Sequence, residues 1–188
     1  MGTRAWEGLT IPEAGTFDLD ASHTHVGFVA KHMMVTKVRG SFTDFTGSVT
    51  LAEDPLQSSA ELTLKTASIE TGNVDRDGHL RSDDFLSVDK FPEISFRSTR
   101  VVSHSDEDFV VLGDLTIRDV TKEVTLKVEY GGTGTNPWGA EVFGFSISTE
   151  IDREEFGLTW NVALETGGVL VSKKVKIEIE GEAARRTA

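Results

Sequence analysis

No cysteine occurs in the 188 residues of the chain, which excludes disulfides, thiolate nucleophiles and Cys-ligated zinc or iron–sulfur sites. Proline is scarce too, with four residues against eighteen glycines, a balance that suits tight corners in a curved, mostly paired sheet. Basic residues fall short of acidic ones, 19 against 31, for a net charge of −12. A nucleic-acid binder displaces counterions with a basic face, and an anionic membrane surface makes the same demand. The net charge argues against both partners and is explained by solubility. No stretch reaches the length of a transmembrane helix, so stable membrane insertion is not expected. Residues 1–15 hold one arginine and no apolar run of signal-peptide length, and the opening Met-Gly has Trp6 where a myristoylation site needs Ser or Thr. A soluble, cytoplasmic protein is the expectation.

What is present is an ordinary globular composition, 38% hydrophobic and 27% charged, in a length that suits one domain. Period-2 alternation dominates it. From 122 to 130, Val124, Leu126, Val128 and Tyr130 share one face, and Glu123, Thr125, Lys127 and Glu129 share the other. Phe109, Val111, Gly113, Leu115 and Ile117 line up in the same way, as do Phe143, Phe145, Ile147, Thr149 and Ile151. Val175, Ile177 and Ile179 form another set. Shorter sets are Val26, Phe28 and Ala30; Phe45, Val49 and Leu51; Ala60, Leu62, Leu64 and Thr66; and Ile94 with Phe96. Eight or nine strands result, each with a wet and a dry face, as in an antiparallel sheet rather than a parallel one buried on both sides.

Turn signals at 53–55, 103–108, 131–137 and 167–168 separate the strands, and Gly47, Gly113 and Gly144 inside strand patterns predict bends or bulges. Residues 73–86 break the rhythm with dense charge and predict a short helix capped by Asp75. Residues 1–14 and 183–188 read as tails. Eight antiparallel strands closed into a barrel leave an interior for side chains or one small ligand. An immunoglobulin-like sandwich is the less favoured alternative, because its Cys–Trp–Cys pattern is missing.

The chemistry-bearing residues give few constellations. His23 and His25 stand two apart, on one face if the segment is extended, but no His-Glu-x-x-His or second pair completes a metal site. His104 lies in a polar turn. Asp75, Asp77, Asp83 and Asp84 miss the calcium-loop spacing, and no Gly-x-Ser-x-Gly elbow occurs. Gly131-Gly132-Thr133-Gly134 reads as a hairpin loop rather than a phosphate cradle. One cluster stands out: Arg76, Asp77 and His79 are close enough for the carboxylate to pair with the guanidinium and fix the imidazole tautomer. It predicts either a pin for the insert at the barrel rim or a polar contact at a cavity mouth.

A family resemblance runs through these segments. Its first part is Asp20, Ser22-His23-Thr24, Val26-Gly27-Phe28, Lys31-His32 and Val38-Arg39-Gly40-Ser41-Phe42. The central block is the most specific: Ser68-Ile69, Thr71-Gly72, Arg76-Asp77, His79-Leu80, Ser82 and Asp84-Phe85, then Phe91-Pro92, Ile94, Phe96 and Ser98. Gly113, Leu115-Thr116-Ile117, Val120-Thr121-Lys122, Arg153 and Phe156-Gly157 complete it. In this order the motifs resemble the YceI-like proteins, a lipocalin-like barrel family that binds polyisoprenoids. Leu86-Ser87 and Asp119 depart from the family's usual Phe-Asp and Gly, and members are often periplasmic or secreted.

The resemblance implies an all-β, antiparallel, eight-stranded lipocalin-like barrel over residues 15–182 with a short helical insert. It also implies a non-enzymatic role in binding, transport or storage of a polyisoprenoid or quinone-like lipid, with no further cofactor or metal. The expected partner is this long-chain isoprenoid, with no nucleic acid and homodimer assembly left open. Its tail would be lined by Val26, Phe28, Phe45, Val49, Leu62, Leu64, Ile94, Phe96, Leu115, Ile117, Leu126, Val128, Phe143, Phe145 and Ile147. His32, Arg76, His79, Leu80 and Phe85 would lie at the closed end and head group. Forty carbons at about 0.8 kcal/mol each give roughly 32 kcal/mol, above the ceiling of about 18–21 kcal/mol for non-covalent binding, so the tail alone can supply the affinity. The alternative is a stress-related or metal-dependent enzyme that uses the histidine and acidic residues.

Overall fold

The computed structural model describes residues 2–188. In chain order the strands are β1 (Thr3–Trp6), β2 (Leu9–Pro12), β3 (Gly15–Leu19), β4 (His25–His32), β5 (Thr36–Phe42), β6 (Phe45–Leu51), β7 (Ser59–Lys65) and β8 (Ile69–Glu70). The helix α1 (Val74–Arg81) follows, then β9 (Glu93–Ser105), β10 (Asp108–Ile117), β11 (Val120–Thr135), β12 (Glu141–Asp152) and β13 (Lys174–Arg185). Eight strands close an antiparallel barrel: β12, β11, β10, β9, β7, β6, β3 and β13 are neighbours in that order, and β13 returns to β12. Closure leaves the ring without a free edge.

β13 shares its second edge between two partners. Its residues 183–185 pair with β3 and its residues 176–180 pair with β4. β3 and β4 are thus one strand in two pieces, broken by the 3₁₀ turn Ala21–His23, which Asp20 caps by accepting the Ser22 N–H at 2.9 Å. β4, β5 and β8 extend the sheet beyond the ring.

The alternation in the sequence becomes inside and outside. On β11, Glu123, Thr125, Lys127 and Glu129 are exposed while Val124, Leu126, Val128 and Tyr130 are partly buried. Curvature comes from register shifts. β9 slips against β10 at two points, leaving Thr99 and Val102 without Cα partners, and each extra residue bends the bulged strand. Gly113 adjoins one shift, and a Cβ there would come within 2.3 Å of the Phe96 ring. Gly40 makes the same room for Phe28.

Several sequence expectations need correction. Gly131 and Gly132 belong to β11 as a bulge opposite Gly144, so the turn expected at 131–137 shrinks to 136–140. Gly47 lies in unbroken register opposite Leu62 and gives way to Leu19 rather than marking a bulge. Asn73, not Asp75, caps α1, accepting the Arg76 N–H at 3.0 Å. A cap must precede the first turn and reach back to it, and Asp75 already lies inside that turn. Residues 1–14, read as a tail, contain the β1–β2 hairpin. Residues 183–185, also read as tail, complete β13, where Ala183 is buried and Arg185 stacks over Phe17 at 4.7 Å.

Candidate functional site

Inward-facing residues from all eight ring strands enclose a cavity of about 400 Å³, within the range of roughly 300–1,000 Å³ for small-molecule sites. Of the residues expected to contact a ligand, all but His32, Phe45, Arg76 and His79 line it. Phe45 opens β6 and is packed into the apolar core instead. His32 ends β4, is exposed, and bridges to Val171.

The Arg76, Asp77 and His79 group does not interlock. Adjacent helical residues do not face one another: Arg76 and Asp77 meet only through Thr71, and His79 goes to Asp84. Arg76 Nε donates to Thr71 Oγ1 at 2.7 Å and its Nη2 to Thr71 O at 3.0 Å. Asp77 turns inward and accepts the Thr71 N–H at 2.8 Å. His79 Nε2 lies 2.8 Å from Asp84 Oδ2, its ring edge-on to Phe85 and Trp160. The cluster is a pin: Arg76 and Asp77 clamp Thr71 and hold α1 against the end of β8.

The two ends of the cavity close differently. At one end the β1–β2 hairpin contributes Trp6, Ile11 and Pro12 to the lining. Tyr130, late in β11, donates from its hydroxyl to Thr10 O at 2.8 Å, and burial pushes its phenol up to about 12. Arg4 Nη2 donates to Ala52 O at 2.7 Å, and Arg185 Nη2 to Glu13 O at 2.8 Å. Trp6 packs on His104 and Phe109, with ring centroids 4.6 and 6.0 Å away.

At the opposite end, before the start of β11, Arg118 Nη1 donates to Phe85 O at 3.2 Å. Leu80, Phe85 and Leu86 from the insert, with Leu158 and Val171 from the 158–172 segment, line the cavity there.

Arg153 is the buried cation of this second end, and it lines the cavity. The odd-numbered parity of Phe143 to Ile151 continues into it and turns it inward. Nε donates to Ser172 O at 2.8 Å, Nη1 to Leu158 O at 2.6 Å and Trp160 O at 3.0 Å, and Nη2 to Val171 O at 3.3 Å. A guanidinium has five N–H groups, so these four bonds leave one on Nη2. Burial lowers the pKa from its ordinary value, and Glu154 and Asp152 oppose that. Arg153 belongs to the motifs of the family resemblance, and its place in the lining was missed although the parity carried the signal. Trp160 and the β1–β2 hairpin were missed as well.

His23 and His25 do not share a strand face, because His23 ends the 3₁₀ turn. Asp20, His23 and Glu182 bring potential ligand atoms within 4.8 Å of one another. They sit outside the barrel, where Asp20 caps the turn and lies 2.9 Å from His23 Nδ1. Hydrogen bonds from Ser22 and then His23 hold the Asp20 carboxyl below its usual range, and the Asp20 carboxylate raises His23.

Comparison with known proteins places this geometry. A UPF0312 protein of Staphylococcus aureus (strain USA300) is 42% identical over 168 residues, which cover 88% of this chain and 95% of that protein. The YceI protein of Campylobacter jejuni superposes with a TM-score of 0.72 at 30% identity, over 84% of this chain and 90% of that one. BcnA of Burkholderia cenocepacia gives 0.73 at 22% identity over 87% and 98%. A polyisoprenoid-binding domain from Saccharophagus degradans gives 0.64 at 15% identity over 93% and 100%. The model of the YceI-like domain matches residues 17–183, and the chain belongs to the YceI-like family.

Proposed function

We propose that the protein binds a polyisoprenoid or isoprenoid-quinone-like lipid in the barrel cavity and carries or stores it without transforming it. The observation that carries this reading is the apolar cavity itself, walled by Leu62, Phe96, Leu126, Val128, Phe145 and Ile147 among others. The titratable lining residues are Glu61, Tyr130 and Arg153. Glu61 pairs with Arg97 on the exterior, and the other two are engaged with backbone carbonyls, so none is poised beside a nucleophile. The name of the Saccharophagus degradans domain, which shares the fold, guides the choice of ligand class.

Cavity size bears on tail length. Each isoprene unit of five carbons transfers with about 4 kcal/mol, so about five units reach the ceiling near 18–21 kcal/mol. At about 400 Å³ the cavity lies toward the lower part of the range for ligand sites. We expect affinity in a polyprenol series to rise steeply with the first units and then level off. In the same titration Leu64→Trp, which fills the lumen at a cost of about 1–3 kcal/mol in stability, weakens binding at least tenfold. Parental affinity in the folded variant would refute the cavity as the site.

A neutral head group suits the insert. Residues 73–86 carry Arg76 and Arg81 against Asp75, Asp77, Asp83 and Asp84. Both arginines are committed, Arg76 to Thr71 and Arg81 to the carbonyls of Ala67 and Ile69. Desolvating a pyrophosphate there costs several kcal/mol, and neither arginine of the insert is free to offset it. A single oxygen, as in a quinone or alcohol, needs one donor. In competition at equal tail length the alcohol or quinone should displace the pyrophosphate, and the reverse order refutes the neutral head.

A further inference from the structure

The β4–β5 hairpin is unlike the rest of the surface. Residues 21–43 contain no aspartate or glutamate in a chain that has 31, and within them stand Lys31, Lys37 and Arg39. All three are exposed, and none has a carboxylate within 4.0 Å among the described residues. Lys31 and Lys37 sit directly opposite each other across the strand pair, an arrangement of like charges that destabilises a sheet. Glu178, itself paired with Lys176, is a carboxylate whose ionisation Arg39 and Lys37 favour. Lys174 extends the basic run at the start of β13, whereas Lys173 before it pairs with Glu154 at 3.3 Å.

The hairpin tip is apolar. Met33, Met34 and Val35 are exposed at 47%, 54% and 84%, and both methionines hold a left-handed backbone, φ 53° and 63°, that L side chains rarely adopt. Three consecutive exposed apolar residues in a strained turn are a defect unless something covers them. Val162, 45% exposed, belongs to the adjacent segment, where Met33 N–H donates to Leu170 O at 2.8 Å. That segment and β4 also line the cavity, through Val171, Phe28 and Ala30.

We infer that the β4–β5 tip docks on the surface of a lipid bilayer containing anionic phospholipid. The apolar residues enter the headgroup boundary, and Lys31, Lys37 and Arg39 meet the negative charge around them. Screening within about 8 Å at physiological salt lets this local patch act against the net charge of the whole chain. The inference rests on the lipid-carrier reading in one respect: docking sets the Arg153 end of the cavity beside the source of an apolar ligand, so that the tail need not cross water.

The test is co-sedimentation of the intact protein with phosphatidylcholine vesicles, with and without phosphatidylglycerol. Binding is expected only with phosphatidylglycerol and should fall as salt is raised. Val35→Asp and the double variant Lys31→Glu, Lys37→Glu should each weaken it at least tenfold while circular dichroism matches the parent. No binding to the anionic vesicles overturns the inference. So does equal binding by the parent and the tip variants, and so does a tip that instead captures an acidic protein and leaves vesicles free. Mass measurement of ligand loaded from detergent on the same variants keeps the two readings apart. Lost docking with retained ligand concerns the tip, and an empty cavity with retained docking concerns the carrier reading.

Discussion

The two ends of the barrel close by different physics. The hairpin end is a plug of apolar surface, in which Trp6, Ile11 and Pro12 drop onto the lumen and three side-chain donors, Arg4, Tyr130 and Arg185, hold the rim. The helix end centres on one side chain: Arg153 gathers the carbonyls of Leu158, Trp160, Val171 and Ser172 around a buried charge, with Asn161 and Arg118 adding bonds beside it. An end held by many partial contacts yields gradually, whereas an end organised by one cation opens when that cation is lost. Under the proposed carrier role, the second end is the candidate entrance.

Substitutions at each end sharpen that contrast. Arg153→Met should have the largest effect, on the order of 3–5 kcal/mol, because it leaves the carbonyls of Leu158, Trp160 and Ser172 without their side-chain donor, while Val171 O keeps Asn161 Nδ2. The checks are a urea melt and limited proteolysis, with new cleavage confined to 158–172. A loss under about 1 kcal/mol would mean that the loop holds itself. Trp6→Ala should cost about 2 kcal/mol, less than the roughly 3–5 kcal/mol of a fully buried tryptophan, because Trp6 is only partly buried. It should hasten ligand release less than Arg153→Met does. Tyr130→Phe removes a single bond to Thr10 O, and about 1 kcal/mol is expected from the same melts.

The smallest effect is a dependence on pH at the bend between β3 and β4. His23 is raised above its ordinary 6.5, so what its pairing with Asp20 contributes is complete below that value and fades as pH rises through the raised one. Asp20 is held below its ordinary 3.8, so its contribution is complete above 3.8 and fades as pH falls through the lowered value. The contact is whole between the two. A proton NMR titration should place His23 above 6.5, and a midpoint at or below that would remove the pair.

The same division governs what could be read from the sequence. The wall was legible because a strand repeats every two residues, so Val124 to Tyr130 and Phe143 to Ile151 declare their inner face without reference to anything distant. The closures were not. β1 and β2 are four residues each, joined by Glu7-Gly8 with both residues at positive φ, 47° and 83°. Such a turn normally announces itself as Asn-Gly or Asp-Gly, and Glu-Gly hid it. Asp152-Arg153-Glu154-Glu155 reads as a solvated charge run unless the parity of β12 is carried one residue past its apolar members. The links of Arg76 and Asp77 to Thr71, and of His79 to Trp160, depend on contacts between segments that spacing does not encode.

Native mass spectrometry of the freshly purified protein, followed by solvent extraction, tests the central claim most directly. The account predicts a mass above that of the chain by one apolar ligand, identified in the extract as an isoprenoid whose occupancy Leu64→Trp lowers. Bare protein mass, persisting after incubation with polyprenols and quinones, would contradict it.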